Sequence, residues 1–305
     1  MMKRVGKWNK LVHVLFLLFI AVNFLPDKGQ PDEYRMYLIG FTVILEVIVV
    51  QTGCFASRKA ANTVADVISA IYVLFIVWTL ATVKFGLLRP ALFPPFGKVI
   101  WQIIDDRKEL LEHIICSVSS IFYGYFLALA TGLFLGLFIS ASYRLRNSFV
   151  YINKFFASIP PVVYVPYGIA LLPTLRSVSI FVIFLAGFWP IFGSTISGVS
   201  NIDREVINSA KVLDVSGPKM LFRVLLPAAL PEIFFGCMQG LSMSFIMLTA
   251  AEMVGGRQGL GYYVKSYSML GDYTRTIAGV LMIGVVVVLI TLLFNVVRKR
   301  FIRWK

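Results

Sequence analysis

Few residues of this 305-residue chain could take part in chemistry, and those few sit in apolar surroundings. Glu46 falls inside an apolar run at 36–54, Asp66 near the start of the next run, and Glu252 at the end of a later one. An ionisable group is expensive to bury in a segment of membrane-spanning length, so each is a candidate for ion coupling or for a contact between helices. Glu46 has no evident partner in the sequence. Ser194, Thr195 and Ser197 follow Trp189 within one apolar run and Thr249 lies in another, offering hydroxyls beside an aromatic face. A small polar solute could use them, or they could bond the carbonyl one turn back in their own helix. The histidines, His13 and His113, and the cysteines, Cys54, Cys116 and Cys237, lack metal-ligand spacing, and the cysteines read as small buried residues without a disulfide framework. No phosphate-loop, serine-hydrolase or zinc-protease pattern occurs, and Gly259-x-Gly261 follows no strand. The expectation is a chain that is not an enzyme and binds no cofactor or metal of its own.

The elements that position these residues are membrane helices. A composition 58% hydrophobic and only 14% charged, with a mean hydropathy of +0.82, excludes a soluble domain and defines an all-α polytopic membrane protein. Eight runs approach the crossing length, at roughly 8–25, 36–54, 64–83, 114–140, 149–172, 177–199, 228–252 and 276–297. The net charge of +14 is spread as short Lys and Arg clusters between these runs, which fits membrane orientation and not nucleic acid. The basic start followed by Leu11 to Leu25 resembles a secretory leader. Asn23-Phe24-Leu25-Pro26 provides no small-residue cleavage site, so an uncleaved first span is expected. With Arg298-Lys299-Arg300 inside, an even number of spans places both termini in the cytoplasm, and the larger share of the 29 basic residues then lies inside.

Pro90, Pro94 and Pro95, followed by Val99-Ile100-Trp101, predict an extended entry and a short amphipathic surface helix dividing three N-terminal spans from five others. The expected organisation is an extension at 1–90, an outside linker at 91–113, a five-helix core at 114–297 and a basic cytoplasmic tail at 298–305. Within the core, Gly132 with Gly136, Gly236 with Gly240, and Gly193 with Ser197 predict close helix packing. Pro160, Pro161, Pro166 and Pro173 predict a broken fifth span. Broken helices at membrane depth occur inside protein or beside a watery cavity, so 155–172 is expected to line a path.

A charged interlude, Asp203 to Pro231, is expected on the cytoplasmic side. Val206, Ala210 and Leu213 form one apolar stripe of a short helix, and Ser200 with Asp203 has capping-box spacing at its start. Asp214-Val215-Ser216-Gly217-Pro218 breaks the period, and a second short helix can run from Lys219 into Leu225 and Leu226, capped by Ser216.

Four local stretches, LFPPFGKVIWQI, SIPPVVYVPYGIALL, WPIFGSTISGV and AEMVGGRQGLGYYV, carry a resemblance over about Leu92 to Val297. That part of the chain resembles the permease subunit of bacterial ATP-binding-cassette importers, in the branch serving nitrate, alkanesulfonates and taurine. The family's cytoplasmic signature is Glu-Ala-Ala, three residues, Gly, nine residues, then Ile-x-Leu-Pro. Here it falls on Asn208-Ser209-Ala210, Asp214 and Val224-Leu225-Leu226-Pro227, with every spacing kept and Asn208, Ser209, Asp214 and Val224 departing in identity. Asp214 can hold the left-handed turn that Gly would, though less readily.

The resemblance implies a type I importer permease core of five helices, here with an N-terminal three-helix extension. It further implies a coupling segment at 200–227 in which Asn208, Ser209, Ala210, Asp214, Ser216, Gly217, Leu226 and Pro227 meet a cytoplasmic ATPase that carries ATP and Mg. The other implied partners are an extracytoplasmic solute-binding protein, a second permease copy and the lipid of a bacterial inner membrane. Pro160, Pro161, Trp189, Ser194, Ser197, Thr249 and Glu252 are the expected translocation-path residues. The implied solute is a small oxyanion or organosulfonate, or else a small heterocyclic vitamin precursor. A secondary carrier using Glu46 and Asp66 is the alternative, though the three-plus-five layout lacks the inverted halves such carriers have.

Overall fold

The computed structural model describes residues 7–29, 31–89 and 91–301. The basic tails expected in the cytoplasm lie partly outside the described residues, as does Pro90. Every regular element among the described residues is helical, and the chain divides into two compact units, one of Met1–Lys108 with Ser266–Gly279, the other of Glu109–Lys265 with Val280–Lys305.

In the first unit, α1 (Lys7–Phe24), α2 (Arg35–Phe55) and α3 (Arg58–Thr79) pack around Val12, Val49, Ala65, Ile68 and Tyr72. A π turn, Leu80–Lys84, extends α3 and turns Lys84 inward. That lysine is 3% exposed, and its Nζ donates to the carbonyls of Asn23 (3.0 Å) and Leu25 (2.6 Å) and to Asp27 Oδ1 (2.6 Å). Three acceptors and an opposite charge make its burial tolerable, and they tie the end of α1 to the end of α3. The expected amphipathic helix is α4 (Phe96–Asp105), which starts directly after Pro94-Pro95. Trp101 stacks on Tyr34 at 4.5 Å, and the N–H of Gly97 donates to Asp32 at 3.3 Å. Burial pushes the Asp32 carboxyl above its ordinary range, opposed by the N–H groups of Tyr34 and Gly97.

In the second unit, α8 (Leu175–Ser200) lies between α5 (Arg107–Ser140) and α11 (Leu226–Gly255). The glycine patterns mark both contacts. Gly132 and Gly136 of α5 face Ile191 and Thr195 of α8, while Gly236 and Gly240 of α11 face Ser194 and the Gly187 carbonyl. Side chains there would meet neighbours at 3.3 Å or less, so the small residues allow the backbones to approach. Two hydrogen bonds reinforce the seam, Tyr125 to the Cys237 carbonyl (2.7 Å) and Ser244 to the Ile183 carbonyl (3.1 Å).

Among the described residues six helices are long and apolar enough to cross a membrane, and a seventh crossing is formed if α6 (Tyr143–Ala157) is joined with the pair that follows it, a 3₁₀ turn (Pro161–Tyr164) and α7 (Val165–Leu171). This is the expected broken span, bent by 75° where Pro160 and Pro161 remove backbone donors. The first expected span is α1, whose apolar stretch is shorter than the other crossings. Of the cysteines, only Cys237 is buried. Cys116 is half-buried, and Cys54 is exposed because it sits on the outward side of the last turn of α2.

Substituting Gly240→Ile should lower the thermal unfolding free energy of the purified protein in detergent by about 1–3 kcal/mol through overpacking. Gly284→Ala on α13 (Tyr273–Phe301), where an added methyl group meets nothing within 4 Å, should not lower it and can raise it by up to about 1 kcal/mol.

Candidate functional site

The interlude after α8 holds α9 (Arg204–Val212), with Asp203 at the N-cap. The capping box does not form. Ser200 is the last residue of α8 and its hydroxyl donates to the Ile196 carbonyl at 2.8 Å, while Asp203 makes no side-chain cap bond. The buried side of α9 is also shifted from the expected stripe. Ala210 is buried, and Ile202 and Ile207 pack with Leu225 and Val199, whereas Val206 and Leu213 are exposed. Leu213 is the C-cap and has left the helical register, so the i+7 spacing no longer holds it on that face.

The end of α9 is a left-handed cap. Asp214 has φ 55°, the only positive value of a non-glycine residue among those described. Its N–H donates to the Lys211 carbonyl at 3.0 Å, and that of Val215 donates to the Ala210 carbonyl at 3.0 Å. These two bonds satisfy carbonyls that the helix end would otherwise leave free. Asp214 therefore holds the turn that the signature assigns to Gly.

Beyond it, Ser216 is an extended N-cap without a side-chain bond, and Gly217 has φ 53°. The expected second short helix is not separate. The one-turn α10 (Gly217–Met220) passes through a π turn at Leu221–Leu225 into α11 without a break. Pro227 and Pro231 lack N–H groups, and the widened turn before Pro227 accommodates a ring that would otherwise clash with the preceding turn. Leu226 and Pro227 are half-buried in this joint, while Asn208, Ser209, Ser216 and Gly217 are exposed. Asn208 and Ser209 share a shallow depression with Val212 and Leu213, which are 85% and 77% exposed.

Halfway along α8 and α11 lies a cavity of about 350 Å³, opened by the break after α6. It brings together Pro161, Trp189, Ser194 and Ser197 from the expected path. Trp189 stacks on Phe156 at 5.0 Å with ring planes 5° apart. The hydroxyls separate into two kinds. Thr195 and Thr249 donate to the carbonyls of Ile191 (2.7 Å) and Phe245 (3.1 Å), whereas those of Ser194 and Ser197 make no hydrogen bond among the described residues. Pro160, Thr249 and Glu252 lie outside the lining.

Three polar residues of the lining escaped sequence reading: Asn153, Lys154 and Gln239. Their signal was a polar side chain within a span-like run. Asn153 Oδ1 is buried without a hydrogen-bond partner, and the amide fits only because position 193 is Gly, where a Cβ would lie 2.4 Å from Nδ2. A buried amide oxygen left unpaired is costly, and only a group that donates a proton, such as water or an ammonium, would satisfy it.

Glu252 has a different setting. It is 3% exposed, accepts from Ser117 at 2.8 and 3.0 Å and from the Gly261 N–H at 2.9 Å, and thereby clamps the glycine turn before α12 (Leu260–Met269). His113 Nδ1 accepts from the Gly259 N–H at 3.0 Å in the same turn. Glu46 does have partners, contrary to the sequence reading. One oxygen meets His13 and the other accepts from Tyr72 at 3.0 Å, contacts 33 and 26 residues away that periodicity cannot reveal. Asp66 stands apart on the exposed side of α3, so the two carboxylates are not brought together.

An all-helical membrane protein with a solute-sized cavity between packed helices and a capped helix seated at the base of those helices is a transport permease. The chain belongs to the family of binding-protein-dependent transport system inner membrane components, whose sequence pattern matches residues 128–305. It is similar to the nitrate import permease protein of Leptolyngbya laminosa, 30% identical over 66% of this chain and 75% of the relative. It is also similar to the taurine transport system permease protein of Escherichia coli, 29% identical over 74% and 84%. The bicarbonate transport system permease protein of Synechocystis is 31% identical over 59% and 64%.

Because Asp214 occupies a left-handed conformation, Asp214→Gly should stabilise the protein by about 1 kcal/mol and Asp214→Val should destabilise it by at least as much. Thermal unfolding of the detergent-purified variants checks the sign of both.

Proposed function

We propose that this chain forms the translocation path of an ATP-driven importer for a small oxyanion or organosulfonate. The observation that carries the reading is that α9 is seated on the base of the same two helices, α8 and α11, whose middle turns line the 350 Å³ cavity. Movement imposed on α9 is thereby passed to the cavity wall. Nitrate, taurine and bicarbonate, named for three relatives, are all small and carry an anionic oxygen group. Lys154, the Asn153 and Gln239 amides and the hydroxyls of Ser194 and Ser197 offer donors to such a group. The stacked Trp189 and the pliable Met243 and Met247 supply the apolar remainder.

In this reading a separate cytoplasmic ATPase, carrying ATP and Mg, grips the exposed face around Asn208, Ser209, Val212 and Leu213. Ala210 supports that face from within, the exposed Asp214 ends its helix, Ser216 and Gly217 form its turn, and Leu226 and Pro227 join it to α11. Two permease copies, two ATPase subunits and an extracytoplasmic solute-binding protein complete the importer in a bacterial inner membrane, with both chain termini in the cytoplasm. The 1–90 extension has a peripheral packing role, 91–113 links it to the core, and 298–305 is a cytoplasmic tail. The His13–Glu46–Tyr72 network favours helix contact over ion coupling for Glu46.

Deleting 208–217 should abolish co-purification of the ATPase while leaving membrane insertion intact, and Leu213→Glu should weaken it on the same assay. ATPase retained after the deletion would remove the coupling assignment. Gly193→Leu, which fills the space beside Asn153, should cut uptake of radiolabelled taurine or nitrate by about tenfold or more with ATPase binding unchanged. Undiminished uptake would place the path elsewhere.

A further inference from the structure

A second cavity of the same unit, about 500 Å³, lies at the end of α8 and α11 opposite to α9. It is lined by the first residues of α8 and by the turn that follows α11, including Arg176 and Arg257. We infer that this cavity is a basic vestibule that binds the oxyanion or sulfonate group of the solute before it enters the central cavity. The inference rests on the importer reading for which end is outside and for the identity of the solute.

The lining sets two guanidinium groups against a single buried acid. Neither Arg176 nor Arg257 forms an ion pair among the described residues. The Arg176 guanidinium is held by a hydrogen bond to Ser119 Oγ at 2.8 Å, a neutral partner that orients it without cancelling its charge. The one acid in the lining, Glu252, is 3% exposed and has both oxygens engaged by Ser117, with the Gly261 N–H on one of them. The positive end of the 26-residue α8 adds to the two cations. Thr174, Ser120 and Ser179 also lie in the lining, the last two donating to carbonyls of their own helices. A concave site with two guanidinium groups outnumbering one buried acid favours a compact anion, because guanidinium matches the planar edge of an oxyanion.

Position in the path follows from the same helices. The central cavity is lined by residues 185–197 of α8 and 239–247 of α11, whereas this cavity is lined by 175–179 and the end of α11 at 252 onwards. The midpoints of the two linings on α8, near 177 and 191, are about four helical turns or about 21 Å apart. An anion drawn to the outer cavity by its field is then concentrated at the mouth of the central one.

Cys116 belongs to the lining and serves as a built-in reporter. In the full-length chain carrying Cys54→Ala and Cys237→Ala, in phosphatidylcholine nanodiscs, its labelling rates with sulfonatoethyl and trimethylammonioethyl methanethiosulfonate are compared. The anionic reagent should be favoured by about tenfold, and Arg176→Gln with Arg257→Gln should reduce that ratio by about fivefold or more. Nitrate or taurine should slow labelling of Cys116 when both arginines are present. If neither reagent reaches Cys116, Gln258→Cys, exposed in the same lining, reports instead.

A ratio unmoved by the double substitution overturns the vestibule. So does slowing that occurs only with phosphatidylglycerol in the nanodisc and never with free nitrate or taurine, which would assign the arginines to a lipid headgroup. Anion preference in an assembled importer that takes up no oxyanion would instead sink the transport reading and leave the basic site standing. Lost preference with ATP-driven uptake retained would do the reverse.

Discussion

The close packing of α8 against α11 is the constraint on which the rest of the second unit depends. In lipid, apolar side chains gain little by leaving the solvent, so two helices hold together through contact area and the few hydrogen bonds they share. Gly236 and Gly240 on one side and Gly187 on the other let the backbones meet, and the hydroxyl of Ser244 closes on the Ile183 carbonyl. The same tightness gives the pair its use, since packed elements move as bodies and do not deform gradually. Both cavities and the base of α9 are attached to this one pair.

The joint at α9 is built from backbone requirements more than from side-chain bonds. Two left-handed residues, Asp214 and Gly217, bracket Val215 and Ser216, and the carbonyls at the helix end are satisfied by main-chain N–H groups. The Asp203 and Ser216 caps contribute no side-chain bonds. Such a joint is short and stiff, and α11 begins within it through the π turn at Leu221–Leu225. The exposed apolar tip at Val212 and Leu213 stands directly above the cap that fixes it.

Much of this was legible in the sequence where the physics is local. Proline positions foretold the broken span, glycine spacing foretold the tight seams, and the turn at 214–218 was visible as an interruption of helical period. The residue-level alignment to the importer signature placed Asp214 at a left-handed turn, and its φ of 55° agrees. What escaped depends on which segments meet. A small-residue pattern marks a face but not its partner, so Gly193 was read as a helix seam when it receives Asn153. Glu46 was read as solitary because His13 and Tyr72 reach it from other helices. The stripe of α9 was misplaced by one residue class because a period cannot show where the helix stops, and Leu213 lies just past its end. Thr249 was grouped with the path for its hydroxyl and Glu252 for its charge at the end of an apolar run, while their hydrogen bonds commit one to its own helix and the other to the glycine turn.

The claim that α9, α8 and α11 form one lever is tested most directly by spin labels at Ser209 and Gln258, both exposed and at opposite ends of it. The distance between them within one chain is measured by pulsed electron resonance in the reconstituted importer, nucleotide-free and trapped with ATP and vanadate. A single narrow distribution unchanged between the two states is predicted. A shift of about 5 Å or more, the rise of one helical turn, would mean that the segment slips against its helices, and the lever account would be contradicted.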